Sequence, residues 1–196
     1  MRVFTDDLGV QVIGLFCPNY MDVLSINEIA SRLGKKYPYV HKRVKGMISD
    51  GLLKVTLMGR SHLCSLDLSH PMVAYLLGFH HLQHARKRFR HSSLLAMGSD
   101  IIERLPSTQA LVAGGTRLKN TTIYAVGSHG DGNFKHQGSQ VLSITWDEMS
   151  RMLLDTSSSF YADHIVILGF DHLFRMIRAN ERELKLAYNP LVGKIL

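Results

Sequence analysis

The segment LSINEIASRLGKKYPYVHKRVKGMISDGLLKV, residues 24–55, decides the architecture predicted for the first part of the chain. Ser25 and Glu28 make a Ser-x-x-Glu capping box, which predicts that a helix begins here. The apolar residues that follow have helical spacing and predict one buried face: Ile26, Ile29, Ala30 and Leu33. Gly34 is a natural stop for this helix, because glycine readily adopts the left-handed conformation in which many helices end.

A second helix is predicted over about residues 37–50. Pro38 fits its first turn, where a missing N–H costs nothing, and Gly51 ends it. Four apolar residues form its predicted buried stripe: Val40, Val44, Met47 and Ile48. At about 100° per residue, the side chains that point away from this stripe are those of Tyr39, Lys42 and Lys45, with Arg43 at its margin.

Two further patterns flank these helices. Residues 7–16 have apolar residues at helical spacing, and residues 52–69 alternate apolar and polar around MGRS, which predicts a β-hairpin with Gly59 in its turn. The predicted order is therefore helix, helix, short turn, helix and hairpin. Over about residues 5–68 this order resembles the winged helix-turn-helix of archaeal and bacterial DNA-binding regulators.

The resemblance implies that the helix of residues 37–50 enters the major groove of double-stranded DNA. It places Tyr39, His41, Lys42 and Arg43 near base edges or the adjacent backbone. Phosphate contacts are expected from Lys35, Lys36 and Lys45, and a backbone or minor-groove contact from Arg60 at the wing tip. Tyr37, at the start of the helix, completes the candidate interface.

The placement of charge is consistent with a polyanionic partner. The formal net charge of the chain is +7. One stretch concentrates positive side chains against Asp50 alone: Arg32, Lys35, Lys36, Lys42, Arg43, Lys45, Lys54 and Arg60. A second basic run, ARKRFRH, covers residues 85–91. Localised positive charge favours nucleic-acid binding, and the alternative is an ordinary solvated surface.

Composition excludes several other classes of protein. With 196 residues and 45% hydrophobic side chains, the chain can build a packed core. No apolar run is long enough to span a bilayer, and the acidic N-terminus does not have the pattern of a signal peptide. Cys17 and Cys64 predict buried thiols and form no zinc motif. We expect a cytoplasmic protein with no membrane association and no cofactor.

Residues 71–105 are predicted to link two domains, 1–70 and 106–196. A long helix begins at Pro71 and a second covers about residues 94–105. Two sets of apolar residues lie on opposite sides of the long helix: Val73, Leu76 and Leu77, and Tyr75, Phe79, Leu82 and Phe89. Since a helix that is apolar on two faces must be covered on both, we expect a homodimer.

The C-terminal part predicts a small mixed domain, so the fold class is α+β. Strands are predicted at QALVAG, TTIYAVG, QVLSIT and HIVIL, helices at 146–155 and 170–187, and a flexible loop at 127–138. The layout is similar to the minimal nucleotidyltransferase fold of the DNA polymerase β-like superfamily. Gly115 and Thr116 match the Gly-Ser of its loop after the first strand.

The resemblance also implies acids on the next strand that hold Mg²⁺, and here Thr122 and Tyr124 occupy those positions. We therefore expect a non-catalytic domain used for dimerisation or ligand sensing. The loop can still be a site for a small anionic effector, or it can serve the fold alone. Its candidate residues are Gly114, Gly115, Thr116 and Arg117.

Three alternatives remain open. The chain is a divergent nucleotidyl- or AMP-transferase with a winged-helix docking module, a regulator that senses a metal, or a winged helix that contacts proteins. The metal alternative depends on His80, His84 and His91, which share one stripe of the long helix. The same stripe also fits packing, a pH response or phosphate contact.

Overall fold

The computed structural model describes residues 7–17, 19–59, 61–89, 91–115, 121–127, 132–136, 138–158, 160–161 and 163–189, with the backbone alone at 7, 88 and 91–95. Within these residues, eight helices and two sheets form a mixed α/β structure. The chain divides into two compact units: Met1–Leu77 with Leu184–Leu196, and Gly78–Glu183. None of the described helices is both long and apolar enough to cross a membrane.

The first unit contains three short helices and a small sheet. The helices are α1 (Asp7–Gly14), α2 (Ile26–Leu33) and α3 (Tyr37–Ser49). The strands are β1 (Leu24–Ser25), β2 (Leu53–Met58) and β3 (Ser61–Leu66), which pair antiparallel in the order β1-β3-β2. The two-residue strand β1 is not apparent in the sequence pattern.

Three local signals read from residues 24–59 are confirmed, the capping box, the stop at Gly34 and the hairpin turn at Gly59, whereas Leu33 and Ile48, predicted on buried faces, are half-buried. The Ser25 hydroxyl accepts from the Glu28 amide at 3.2 Å, and the Glu28 carboxylate accepts from the Ser25 amide at 2.7 Å. These two bonds form the capping box at the start of α2. Gly34, with φ 61°, ends α2, and Gly59, with φ 60°, lies in the turn between β2 and β3.

The second unit is built on a mixed five-stranded sheet. Its strands are β4 (Ala110–Gly114), β5 (Thr122–Val126), β6 (Phe134–His136), β7 (Ser139–Ile144) and β8 (His164–Leu168). The order is β6-β7-β5-β4-β8; β5 and β7 are parallel and the other neighbours are antiparallel. The helices are α4 (Pro71–Arg88), which begins within the first unit, and α5 (His91–Arg104), α6 (Trp146–Leu154), α7 (Phe170–Ala179) and α8 (Glu181–Tyr188), which ends there.

A strand lies where the sequence predicts only a loop. Residues 127–138 include β6, which pairs with β7 through Phe134 and Val141. Phe134 packs against the buried core, and the Arg104 guanidinium lies 4.9 Å from its ring centroid. These tertiary contacts order a segment whose glycine-rich composition favours a loop.

The long helix predicted from Pro71 is shorter than expected, and the single helix predicted over residues 170–187 is interrupted. The first ends at Arg88, and α5 begins at His91. In the second, α7 ends before Asn180, whose side-chain amide donates to the Met176 carbonyl at 2.9 Å. An asparagine side chain that bonds the preceding turn competes with helix continuation, which accounts for this break.

Candidate nucleic-acid interface and glycine loop

A three-residue turn fixes the direction of α3 relative to α2. Gly34 is left-handed, and the next amide, that of Lys35, donates back to the Ala30 carbonyl at 3.0 Å. This bond satisfies a carbonyl at the end of α2 and closes the helix. Lys36 then precedes α3, and Pro38 lies in its first turn. Two exposed lysines are thereby held directly before the N-terminus of α3.

Packing of one face of α3 fixes which side chains face outward. Val40, Val44 and Met47 are completely buried. The remaining predicted DNA-binding residues of this region form the surface that we call the α3 surface: Lys35, Lys36, Tyr37, Tyr39, His41, Lys42 and Lys45. Tyr37 is 44% exposed and Tyr39 58%, the four lysines are exposed, and His41 is half-buried. The structure thus brings these seven predicted residues together.

An aromatic pair lies at the N-terminal end of this surface. The ring centroids of Tyr37 and His41 are 5.3 Å apart with a 33° angle between the ring planes. The two residues are one helical turn apart, so their side chains are neighbours on the same side of α3. No side chain of a described residue caps the N-terminus of α3, where Lys36 is the N-cap. Within the first turn, Pro38 has no N–H, and the Tyr39 amide already donates to the Lys36 carbonyl at 3.1 Å.

The cations of the basic stretch fall into two groups. Arg32 lies 3.9 Å from the Asp22 carboxylate, and Lys54 lies 2.9 Å from that of Asp67. The lysines of the α3 surface make no ion pair with any residue that the structure describes. Positive charge that is not neutralised within the unit is therefore concentrated around α3.

Arg43 differs from its neighbours on α3. It is half-buried, and a Cβ added to Gly9 would lie 2.5 Å from its Nη2 atom. Its guanidinium therefore lies against the backbone of α1, where it helps to pack α1 on α3. Among the nine candidate DNA-binding residues, Arg43 is thus placed toward the interior of the unit, and Arg60 lies outside the described residues.

The β2–β3 hairpin presents exposed apolar side chains that are not among the predicted site residues. Leu57 is 67% exposed and Met58 50% exposed at the end of β2. The sequence contains a signal for this exposure, because successive side chains of a strand point to opposite faces and two adjacent apolar residues cannot both face the interior.

Gly114, the first residue of the candidate glycine loop, is closely covered by two aromatic rings. Gly114 ends β4, and a Cβ added to it would lie 2.8 Å from the Phe160 ring and 3.0 Å from the Tyr124 ring. These rings meet edge to face, with centroids 5.3 Å apart. Gly114 is therefore required by packing. Gly115 has φ 65°, and Thr116 and Arg117 lie outside the described residues.

The strand beside this loop carries neutral side chains. Thr122 pairs with Gly114, and Tyr124 pairs with Val112. Burial raises the pKa of the Tyr124 phenol, so it is uncharged at neutral pH. Neither residue can supply the anionic oxygen that Mg²⁺ prefers.

The histidine stripe of α4 brings two imidazoles together. The ring centroids of His80 and His84 are 4.4 Å apart, and the side chain of His91 lies outside those that the structure describes. Burial, then His84 and Lys87, lower the pKa of His80 to about 4. No group of three or more His, Cys, Asp or Glu side chains in the described part of the chain could hold a metal ion.

Comparison with known proteins finds no matching family model, no matching curated protein and no matching solved structure.

Proposed function

We propose that the chain is a sequence-specific, DNA-binding transcription regulator whose first unit is a winged helix-turn-helix. The observation that carries this proposal is the α3 surface, where exposed lysines that pair with no acid among the described residues surround exposed tyrosines. The turn at Gly34 and the β2–β3 hairpin support it, because a helix-turn-helix requires a tight turn and a winged variant adds a hairpin. Such a regulator acts in the cytoplasm, where its DNA lies.

Different parts of the α3 surface would have different roles on DNA. Lys35 and Lys36 precede the helix and would contact phosphates together with Lys45. Tyr39, His41 and Lys42 lie in the first half of α3, the part that reaches base edges when a recognition helix enters the major groove. Leu57 and Met58 on the wing would add apolar contact with the DNA surface.

Salt dependence tests the phosphate contacts. Each phosphate contact releases bound counterions, so the steepness of the loss of affinity with salt reports the number of contacts. In a variant with Lys35→Gln, Lys36→Gln and Lys45→Gln, we expect weaker binding to every duplex. We also expect the slope of log affinity against log salt to fall by roughly one per lost contact. Fluorescence anisotropy over a salt series measures both quantities.

The matched control removes positive charge elsewhere on the surface. Lys54, which is ion-paired with Asp67, and Lys135, which is exposed on β6, are replaced by Gln in one variant. This control should keep the wild-type slope. An unchanged slope in the triple variant would remove the three lysines from the contact surface, and binding of no duplex at low salt would favour a protein-contacting winged helix.

The second unit is proposed to act without catalysis, in dimerisation or ligand sensing. The resemblance of its sequence to the minimal nucleotidyltransferase fold supports this proposal and rests on residues of β4, the glycine loop and β5. Thr122 and Tyr124 replace the acids implied by that similarity, and aromatic rings lie over Gly114. A small anionic effector would therefore bind beyond Gly114, toward Gly115, Thr116 and Arg117.

A homodimer is part of this proposal. Three residues of the second apolar face predicted for α4 are exposed, with Tyr75 71%, Phe79 49% and Leu82 47% accessible, whereas Phe89 packs against the core. Aromatic and leucine side chains exposed at helical spacing are more costly to leave in water than to bury against a partner. A second copy that presents the same residues would cover them, and two-fold symmetric binding fits the symmetric half-sites of operators.

A further inference from the structure

Two histidines are buried side by side in the second unit. His81 of α4 is 3% exposed and His164 of β8 is 4% exposed. Their rings are stacked, with centroids 5.3 Å apart and an interplanar angle of 26°. Buried polar side chains need hydrogen-bond partners, so the contacts of this pair determine its protonation state.

The hydrogen bonds of the two Nδ1 atoms show which of them carries a proton. The Val166 amide donates to His81 Nδ1 at 3.3 Å, so this nitrogen must be unprotonated. His164 Nδ1 lies 2.9 Å from the Tyr161 carbonyl, which can only accept, so this nitrogen carries its proton. His81 thus ties the part of α4 after Gly78 to strand β8, which lies at the edge of the sheet.

The surroundings of the pair oppose protonation. The Phe170 ring of α7 lies 5.3 Å from the His81 ring, and the Phe160 ring lies 5.8 Å from that of His164. Burial, followed by His164, His80 and His84, holds the pKa of His81 well below its usual range. Burial lowers the pKa of His164 to about 4, although the carbonyls of Tyr161 and Phe160 and the Asp163 carboxylate act in the opposite direction.

The titratable groups named around the pair come from α4 and from the segment before β8. Helix α4 contributes His80 and His84. The positive charge of Lys87 lowers the pKa of both of these histidines. Asp163, in the segment before β8, is the acid that acts on His164. Helix α7 contributes Phe170, whose ring lies beside His81, and Phe174 packs on Phe170. Basic neighbours therefore outnumber acidic ones.

We propose that His81 and His164 form an acid-sensitive clasp that joins α4 to β8 at neutral pH and releases it when an imidazole takes up a proton. A proton on His81 Nδ1 would remove the acceptor of the Val166 amide and place two N–H groups face to face. A proton on His164 would put charge among aromatic rings. The clasp would make the packing of the second unit respond to acidity.

The direction of the pH effect follows from linkage. An unfolded histidine has its ordinary pKa of 6.5, whereas folded His164 has a pKa of about 4. Above pH 6.5 neither state binds the proton, and the clasp is at full strength. As the pH falls from 6.5 towards 4, the open state takes up protons that the closed state rejects, so opening becomes more favourable.

Hydrogen exchange of the Val166 amide tests the proposal. For His164 alone, the two pKa values predict a protection factor about 20-fold lower at pH 5 than at pH 7. His81→Asn and His164→Asn keep a hydrogen-bonding atom near the Nδ1 position but cannot titrate. We expect each variant to lose part of this pH dependence and the double variant to lose most of it. The matched control is His62→Asn, an exposed histidine on β3, which should behave as wild type.

A second measurement applies even if a variant fails to fold. In the wild-type protein, the ring signals of His81 and His164 are followed by NMR through an acid titration. We expect both to remain neutral down to pH 5. Titration of either ring above pH 6 in the folded protein, or a Val166 protection factor that is the same at pH 7 and pH 5, would overturn the clasp.

Discussion

At the scale of single residues, Gly114 illustrates how a sequence motif can arise from packing. A glycine pair after a strand is typical of a phosphate-binding loop. Around Gly114, however, the space that a side chain would need is filled by Phe160 and Tyr124. The sequence shows the glycine but not the ring over it, because Phe160 is distant along the chain.

Gly114→Ala should therefore destabilise the second unit. Its Cβ would lie 2.8 Å from the Phe160 ring inside a buried strand, and overpacking of this kind costs about 1–3 kcal/mol. Urea unfolding measures the change in the free energy of unfolding. Adding Phe160→Leu should recover part of the loss.

Gly98→Ala is the matched control for this substitution. Gly98 lies in α5, and a Cβ there would meet no atom within 4 Å. Since alanine is a better helix former than glycine, we expect this variant to be neutral or stabilised by up to about 1 kcal/mol. If Gly114→Ala behaved in the same way, the rings would not account for the glycine.

At the scale of elements, most helices and strands could be predicted from local signals. The capping box at Ser25 and the turn glycines 34 and 59 specify their conformations within a few residues. Strand β6 could not be predicted in this way, because its order depends on Phe134 reaching the core and on pairing with β7. The position of Arg43 against Gly9 is likewise a tertiary contact.

The exposed apolar residues of α4 allow the proposed homodimer to be tested. In a double variant with Phe79→Glu and Leu82→Glu, buried carboxylates would face each other across a two-fold interface. We therefore expect the dimer to dissociate. Light scattering after size exclusion should give twice the monomer mass for wild type and the monomer mass for the variant. DNA fragments selected by the wild type should contain inverted repeats.

Gln83→Glu on the same helix is the matched control. Gln83 is exposed and lies away from the centre of the apolar face, so this single charge should leave the dimer intact. A monomeric wild-type protein, or a variant with unchanged mass, would contradict the role of this face.

At the scale of the whole molecule, the sequence separates a basic first part, which we propose binds DNA, from a second part, which we propose acts without catalysis. The net charge of +7 and its concentration near α3 could be predicted directly, and the structure adds that Arg32 and Lys54 are ion-paired. The buried histidine pair could not be predicted, since residues 81 and 164 meet only through packing. Eleven histidines in one chain were the available signal.

We predict that the protein does not catalyse nucleotidyl transfer. Incubated with labelled ATP and Mg²⁺, with and without duplex DNA, the protein should transfer no label. The reason is that Thr122 and Tyr124 cannot hold the metal that nucleotidyl transfer requires. Transfer to any acceptor would instead favour a divergent transferase with a winged-helix docking module.

The two ends of the five-stranded sheet have a consequence for aggregation. An open strand edge is a template on which another chain can add a strand. Strand β6 is only three residues long and exposes Lys135, and on β8 the Val166 amide is already occupied by His81. Both ends are thus poor templates at neutral pH, whereas acid that displaces His81 would leave β8 open to amyloid-like growth.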